Sequence, residues 1–192
     1  MPITKISLNN FRCFKNLELS LSPGINFFFG SNGSGKTSIL ESVFIFSSGK
    51  SFKSSNLTSL INYDNDKFTL KGFDNKKGYI VEIEKSKNKT ISISLNNNKT
   101  NTNKLVKEFP CTPIHNNTFS FADASPDFRR KLVDRSIFIA EDNFSKVWFS
   151  FYRSLRQRNF LLKNNRISDI YNWNIKLADE AEKLTKYRKD FF

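Results

Sequence analysis

Residues Gly30-Ser31-Asn32-Gly33-Ser34-Gly35-Lys36-Thr37 spell the pattern G-x-x-x-x-G-K-[ST], and their surroundings suit it. Ahead of them runs Ile25-Asn26-Phe27-Phe28-Phe29, an apolar stretch that predicts a buried strand. After them comes Thr37-Ser38-Ile39-Leu40-Glu41-Ser42-Val43-Phe44-Ile45-Phe46, whose apolar spacing predicts a buried helix. Strand, glycine-rich turn and helix are the context in which this pattern cradles phosphate. Glycines let successive N–H groups turn inward around an anion, and the helix start adds the positive end of its dipole. Lys36 then reaches the β- and γ-phosphates and the Thr37 hydroxyl holds Mg²⁺.

The 192 residues suffice for one domain with a real core, or one domain and part of another. Thirty-one basic and 18 acidic residues leave a formal charge of +13, which favours a polyanionic partner. A generally Asn-, Lys-, Ile- and Phe-rich composition produces the same excess with no partner at all. Cys13 and Cys111 are two distant thiols, which indicates neither a disulfide framework nor a metal knuckle. His115 is the only histidine, and a lone histidine is more often structural than catalytic. Met1-Pro2-Ile3-Thr4-Lys5 lacks the build of a signal peptide, and no apolar run approaches membrane-spanning length. The expected location is cytoplasmic.

Ile3-Thr4-Lys5-Ile6-Ser7-Leu8 alternates as a half-buried strand does. Asn9-Asn10 reads as a turn, Leu17-Glu18-Leu19-Ser20-Leu21 as the next strand, and Pro23-Gly24 as the turn into the phosphate loop. Residues 47 to 54 read as a polar, basic loop. Antiparallel strands are expected at Phe68-Thr69-Leu70-Lys71-Gly72, Tyr79-Ile80-Val81-Glu82-Ile83 and Thr90-Ile91-Ser92-Ile93-Ser94-Leu95, with an asparagine-rich turn at 96–101. From Ser125 the character becomes helical: Ser125-Pro126-Asp127 supplies an N-cap, a first-turn proline and an acid. Asp142 is expected to cap a second helix bearing the stripe Phe144, Val147, Trp148, Phe151 and Leu155. Ile170, Trp173, Leu177, Ala181 and Leu184 form a similar stripe. The expected domains are 1–124 and 125–192, and the ending at Asp190-Phe191-Phe192 reads as cut off rather than finished.

Five elements resemble the RecF family, within the wider group of RecF, SMC and related recombination ATPases. Phe11-Arg12-Cys13-Phe14 is similar to N-x-F-R-x-F, and Gly30 to Glu41 to G-x-N-G-x-G-K-T-S-x-L-E. Gly49-Lys50-Ser51-Phe52-Lys53 resembles G-[RK]-S-F-R. Ser125-Pro126-Asp127-Phe128-Arg129-Arg130-Lys131-Leu132-Val133-Asp134 resembles S-P-x-x-R-R-x-F-L-D, and Leu155-Arg156-Gln157-Arg158-Asn159 resembles L-K-Q-R-N. The resemblance covers the N-terminal half of such proteins. It implies an α/β fold: a P-loop NTPase lobe of the ABC-type ATPase head with an antiparallel β-subdomain, then the start of an all-helical lobe.

The resemblance further implies ATP and Mg²⁺ as cofactors and an ATP-dependent homodimer in the full-length protein. It implies single-stranded or gapped DNA as partner, and RecO- and RecR-type mediators in recombinational repair, replication restart and the SOS response. Gly30, Ser31, Asn32, Gly33, Ser34, Gly35, Lys36, Thr37 and Ser38 are the expected nucleotide-binding residues, joined by Arg12, with Thr37 on Mg²⁺. Lys50, Lys53, Arg153, Arg156 and Lys163 are candidate DNA contacts, since 146–166 holds no acidic residue; a merely solvated basic face is the alternative. Thr112 stands where such proteins carry a glutamine, within Cys111-Thr112-Pro113-Ile114-His115-Asn116-Asn117. No L-S-x-G-Q element and no apolar strand ending in paired acids is present, so nucleotide binding without efficient hydrolysis is expected, and no catalytic residue is assigned. Alternative readings are an SMC-like or overcoming-lysogenization-type ATPase head or, in a different class, a small-molecule phosphotransferase. The short, interrupted helical stripes speak against the SMC reading, and the antiparallel strands against the phosphotransferase.

Overall fold

Alternation of Ile6 and Leu8, followed by Phe11, drives β1 (Lys5–Phe11) into one face of an antiparallel sheet. The computed structural model describes residues 3–114 and 125–191, so the expectations for Met1, Pro2, His115, Asn116, Asn117 and Phe192 lie outside the described residues. The chain divides into two compact units, Met1–Ile114 and His115–Phe192.

In the first unit β2 (Phe14–Ser20), β3 (Lys67–Asp74), β4 (Tyr79–Ser86), β5 (Ser92–Leu95) and β6 (Asn98–Lys99) join β1 in the order β2-β1-β3-β4-β5-β6. Every neighbouring pair is antiparallel. Phe68, Leu70, Val81, Ile83, Ile93 and Leu95 continue the buried face. Helix α1 (Lys36–Ser48) covers it with Ile39, Ile45 and Phe46, and α2 (Thr102–Glu108) adds Leu105. The opposite face carries cross-strand charge pairs, Lys71 with Glu82 directly opposite at 3.5 Å and Lys67 with Glu84 at 2.7 Å.

Several local expectations are corrected. Asn9 and Asn10 do not turn the chain: β1 runs on to Phe11, which pairs with Phe14, and Arg12-Cys13 make the turn. Asn10 and Arg12 both take left-handed backbone, φ 51° and 55°, and the reversal falls three residues later than the asparagines suggested. Ser47 and Ser48 belong to α1, which ends at Gly49 with φ 62°. Leu40 lies on the outer side of that helix and is exposed. Beyond the asparagine-rich turn, residues 102–108 form a helix to which no element is assigned from sequence; Asn101 caps it by accepting from the Lys104 N–H at 3.1 Å.

The largest correction concerns Ile25-Asn26-Phe27-Phe28-Phe29, which is not a strand. Ile25, Phe27 and Phe29 are 79, 83 and 93 % exposed, while Phe28 alone packs on the core. The alternation of a strand is there, but among the described residues no strand runs beside it. A strand needs a neighbour to take up its N–H and C=O groups, so the sequence pattern alone does not make one.

The second unit is helical: α3 (Pro126–Ala140), α4 (Phe144–Lys163) and α5 (Ile170–Asp190). Ser125 caps α3 as expected, its Oγ accepting from the Phe128 N–H. Asp142 does not cap α4; Asn143 occupies that position and makes no side-chain capping bond. α4 and α5 run antiparallel, linked by Ser150 Oγ donating to Glu180 at 2.8 Å and Arg158 Nε donating to Asn174 at 2.7 Å. Asn164 ends α4 and Asn165 turns left-handed at φ 54°, which breaks the helix between the two apolar stripes. Ile137, Phe144 and Leu184 centre the core, with Val147, Trp148 and Phe151 of the expected stripe against them. No described helix is long and apolar enough to cross a membrane.

Candidate nucleotide-binding site

The phosphate loop leads straight into α1 through three glycines of positive φ: Gly30 at 147°, Gly33 at 86° and Gly35 at 92°. Gly35 is the N-cap of α1 and offers no side chain, so the first-turn N–H groups face outward uncapped. No acidic residue occupies that turn, which keeps it open to an external anion. Lys36 folds back over the loop, its Nζ donating to Gly30 O at 2.9 Å and Ser31 O at 2.7 Å, with Ser34 Oγ at 3.5 Å. The ammonium is thereby held over the loop rather than extended into solvent.

Asn32, Gly33, Gly35, Lys36, Thr37 and Ser38 line a concavity of about 390 Å³. Arg12 and Cys13 reach it from the β1–β2 turn, and Lys53 from the loop after α1. Three cations from three segments therefore converge on one pocket, and among the described residues no carboxylate lines it. The arrangement suits a polyphosphate.

Sequence reasoning brings Arg12 and most of the glycine loop to this pocket; Ser31 and Ser34 serve it by holding Lys36. Lys53, a candidate DNA contact, lines this pocket as well. Thr112 is exposed and stands outside the lining. Thr37 is exposed in the first turn, and its hydroxyl carries no hydrogen bond among the described residues. A hard cation that keeps several waters and takes substrate phosphates fits one free hydroxyl here. No cluster of three or more His, Cys, Asp or Glu side chains competes for a metal among those residues.

Missed from sequence are Glu41 and Ser51. Glu41, one turn deeper in α1, is 1 % exposed and accepts from Arg12 Nε at 2.9 Å and Nη2 at 3.0 Å. Ser51 Oγ donates to the same carboxylate. The glutamate is visible as the last letter of the loop pattern, but nothing in that pattern says that it is buried.

The candidate DNA contacts lie in separate units. Lys50 is exposed after α1. Arg153, Arg156 and Lys163 are exposed on α4, and none is in an ion pair among the described residues. Arg166, by contrast, is paired with Asp169 at 2.7 Å.

The AAA domain family model matches residues 5–191. The DNA replication and repair protein RecF of Aliivibrio fischeri (strain MJ11) is 33 % identical over 196 residues, covering all of this chain and 55 % of the relative. The chain thus spans about half the length of the curated relatives it matches. Its fold resembles a solved structure of the recombination mediator protein RecF-ATP in the RecFOR pathway, with TM-score 0.84 and 25 % identity, covering 98 % of this chain and 53 % of that one. It resembles more distantly an SMC ATPase studied for ATP-driven dimerization and DNA-stimulated activation, with TM-score 0.54 and 20 % identity over 69 % of this chain and 98 % of that one.

Proposed function

Because this RecF-like chain belongs to the AAA domain family, we propose that it binds ATP with Mg²⁺ at the loop Gly30–Thr37 and serves DNA replication and repair. The observation that carries the reading is the convergence of Lys36, Arg12 and Lys53 on a carboxylate-free pocket at the start of α1. The backbone N–H groups of the loop would hold phosphate oxygens, and Lys36 would exchange its loop carbonyls for them. Thr37 would offer its hydroxyl oxygen to Mg²⁺, which would neutralise phosphate charge when bound. ATP-dependent homodimerisation, single-stranded or gapped DNA as partner, and mediators of RecO and RecR type belong to the same proposal, as do roles in replication restart and the SOS response. They rest on likeness to proteins about twice this length.

Lys36→Ala tests the reading, since it removes one point charge and leaves the glycine geometry. The affinity for a fluorescent ATP analogue falls by at least about tenfold, or about 1.4 kcal/mol. An unchanged affinity would sink the assignment. Phosphate release by the 192-residue chain stays at background, because no carboxylate among the described residues faces the pocket. Turnover that vanishes in Lys36→Ala would overturn that part.

A further inference from the structure

Arg12 is held more firmly than a residue in a surface turn requires. Its backbone is left-handed, its N–H donates to Leu60 O at 2.8 Å, and its carbonyl accepts from Asn62 Nδ2 at 2.8 Å. Two of its guanidinium nitrogens, Nε and Nη2, are taken up side-on by the Glu41 carboxylate. Nη1 makes no hydrogen bond among the described residues.

The same carboxylate accepts from Ser51 Oγ, and that hydroxyl oxygen in turn accepts from the backbone N–H groups of Lys53 and Ser54, both at 2.9 Å. A single buried anion thus reaches two segments far apart in sequence. One carries Arg12 and the other Lys53, and both of these cations line the phosphate pocket. An anion buried in an apolar helix face is costly unless fully bonded, and here every bond it makes points toward a pocket cation or the loop that holds one.

We propose that Glu41 is the positioning residue of the nucleotide site: it never meets the ligand, but it sets the direction of Arg12 directly and the place of Lys53 through Ser51. The proposal rests on the ATP-binding reading. A residue present only to satisfy the core would leave affinity alone wherever the protein is folded. A positioning residue loses its effect once the group it positions is gone.

The test is a pair of double-mutant cycles on the 192-residue chain, read as the dissociation constant of a fluorescent ATP analogue well below each variant's melting temperature. Glu41→Gln keeps the shape and removes the charge; it weakens binding at least about fivefold in the Arg12-containing protein, its effect shrinks in Arg12→Ala, and it has no further effect once Lys53→Ala is added. Ser51→Ala leaves the Arg12–Glu41 pair in place; its weakening disappears in Lys53→Ala. Should Glu41→Gln fail to fold, the Ser51 and Lys53 cycle decides alone. Additive losses, unchanged affinity or tighter binding in Glu41→Gln would overturn the positioning role while leaving ATP binding intact. Failure of the unmutated chain to bind the analogue would overturn both.

Discussion

The ring of Phe14 lies against the backbone of Gly35, so that a methyl group there would overlap the ring and come within 2.9 Å of Cys13 Sγ. The β1–β2 hairpin is therefore seated on the last glycine of the phosphate loop. This packing gives the Phe11-Arg12-Cys13-Phe14 element three separate tasks. Phe11 is buried and stacks edge-on with Phe68 at 5.3 Å, Arg12 pairs with Glu41, and Phe14 closes over Gly35.

The two inner glycines of the loop should differ in consequence. Gly33 has φ 86° and nothing within 4 Å of an added Cβ, so Gly33→Ala meets only backbone strain, about 1–2 kcal/mol. Gly35→Ala meets the same strain and the clash with Phe14, and is expected to cost at least about 1 kcal/mol more. Urea unfolding measures both. The double variant Gly35→Ala with Phe14→Leu recovers part of the difference; equal costs for the two alanines would show that the hairpin gives way freely.

How far the sequence reveals this arrangement depends on the range of the interactions. The phosphate loop, α1 and the strands around Leu70, Val81 and Ile93 are legible because alternation and glycine spacing are local signals. Residues 25–29 carry the same signal and form no strand, because pairing depends on a neighbour that alternation does not specify. Glu41 and Ser51 are illegible for a related reason. Their meaning comes from Arg12, 29 residues away from Glu41, brought near by the fold. The charge of Lys53 is legible, but its place in one lining with Arg12 and Lys36 is not, because the fold brings the three segments together.

The segment before the loop offers a sharp contrast between adjacent rings. Phe27→Ser and Phe29→Ser remove exposed rings and should leave the unfolding free energy within about 0.5 kcal/mol, while lowering the binding of a hydrophobic dye such as bis-ANS. Phe28→Ser removes a ring packed on the core and should cost more than about 1 kcal/mol. Equal destabilisation by Phe27→Ser and Phe28→Ser would mean that the segment is paired in solution.

In the helical unit the carboxylate of Asp134 on α3 binds elements on both other helices. It accepts from Trp148 Nε1 at 3.0 Å and from Arg188 Nε and Nη2 at 2.7 and 2.8 Å. The hydrogen bond from Arg188 to Asp134 holds that guanidinium's pKa above its ordinary value. Asp134→Asn should cost about 2–3 kcal/mol, at the lower end for a buried pair because Arg188 keeps some access to water. Trp148→Phe, which loses one hydrogen bond to that carboxylate, should cost about 1.5 kcal/mol. Thermal unfolding followed by far-ultraviolet circular dichroism ranks the two; a larger loss in Trp148→Phe would make the indole, not the ion pair, the clamp.

Arg153, Arg156 and Lys163 decide between a DNA-tracking face and a solvated one. They are exposed on α4, spaced three and seven residues apart, which keeps them within one side of the helix. None is engaged by a carboxylate among the described residues, unlike Arg166, so all three charges are available to phosphate. Replacing the three with Gln should weaken DNA binding at all sequences alike, since phosphate contacts carry no base information. It should also flatten the slope of log affinity against log salt, by about three for duplex and about two for single strands. The slope counts phosphates directly, because every phosphate that a side-chain cation neutralises sets free a fixed share of condensed counterions. An unchanged slope in a variant whose circular dichroism matches the parent would assign the face to solvent, and leave the +13 charge to the composition of the chain rather than to a partner.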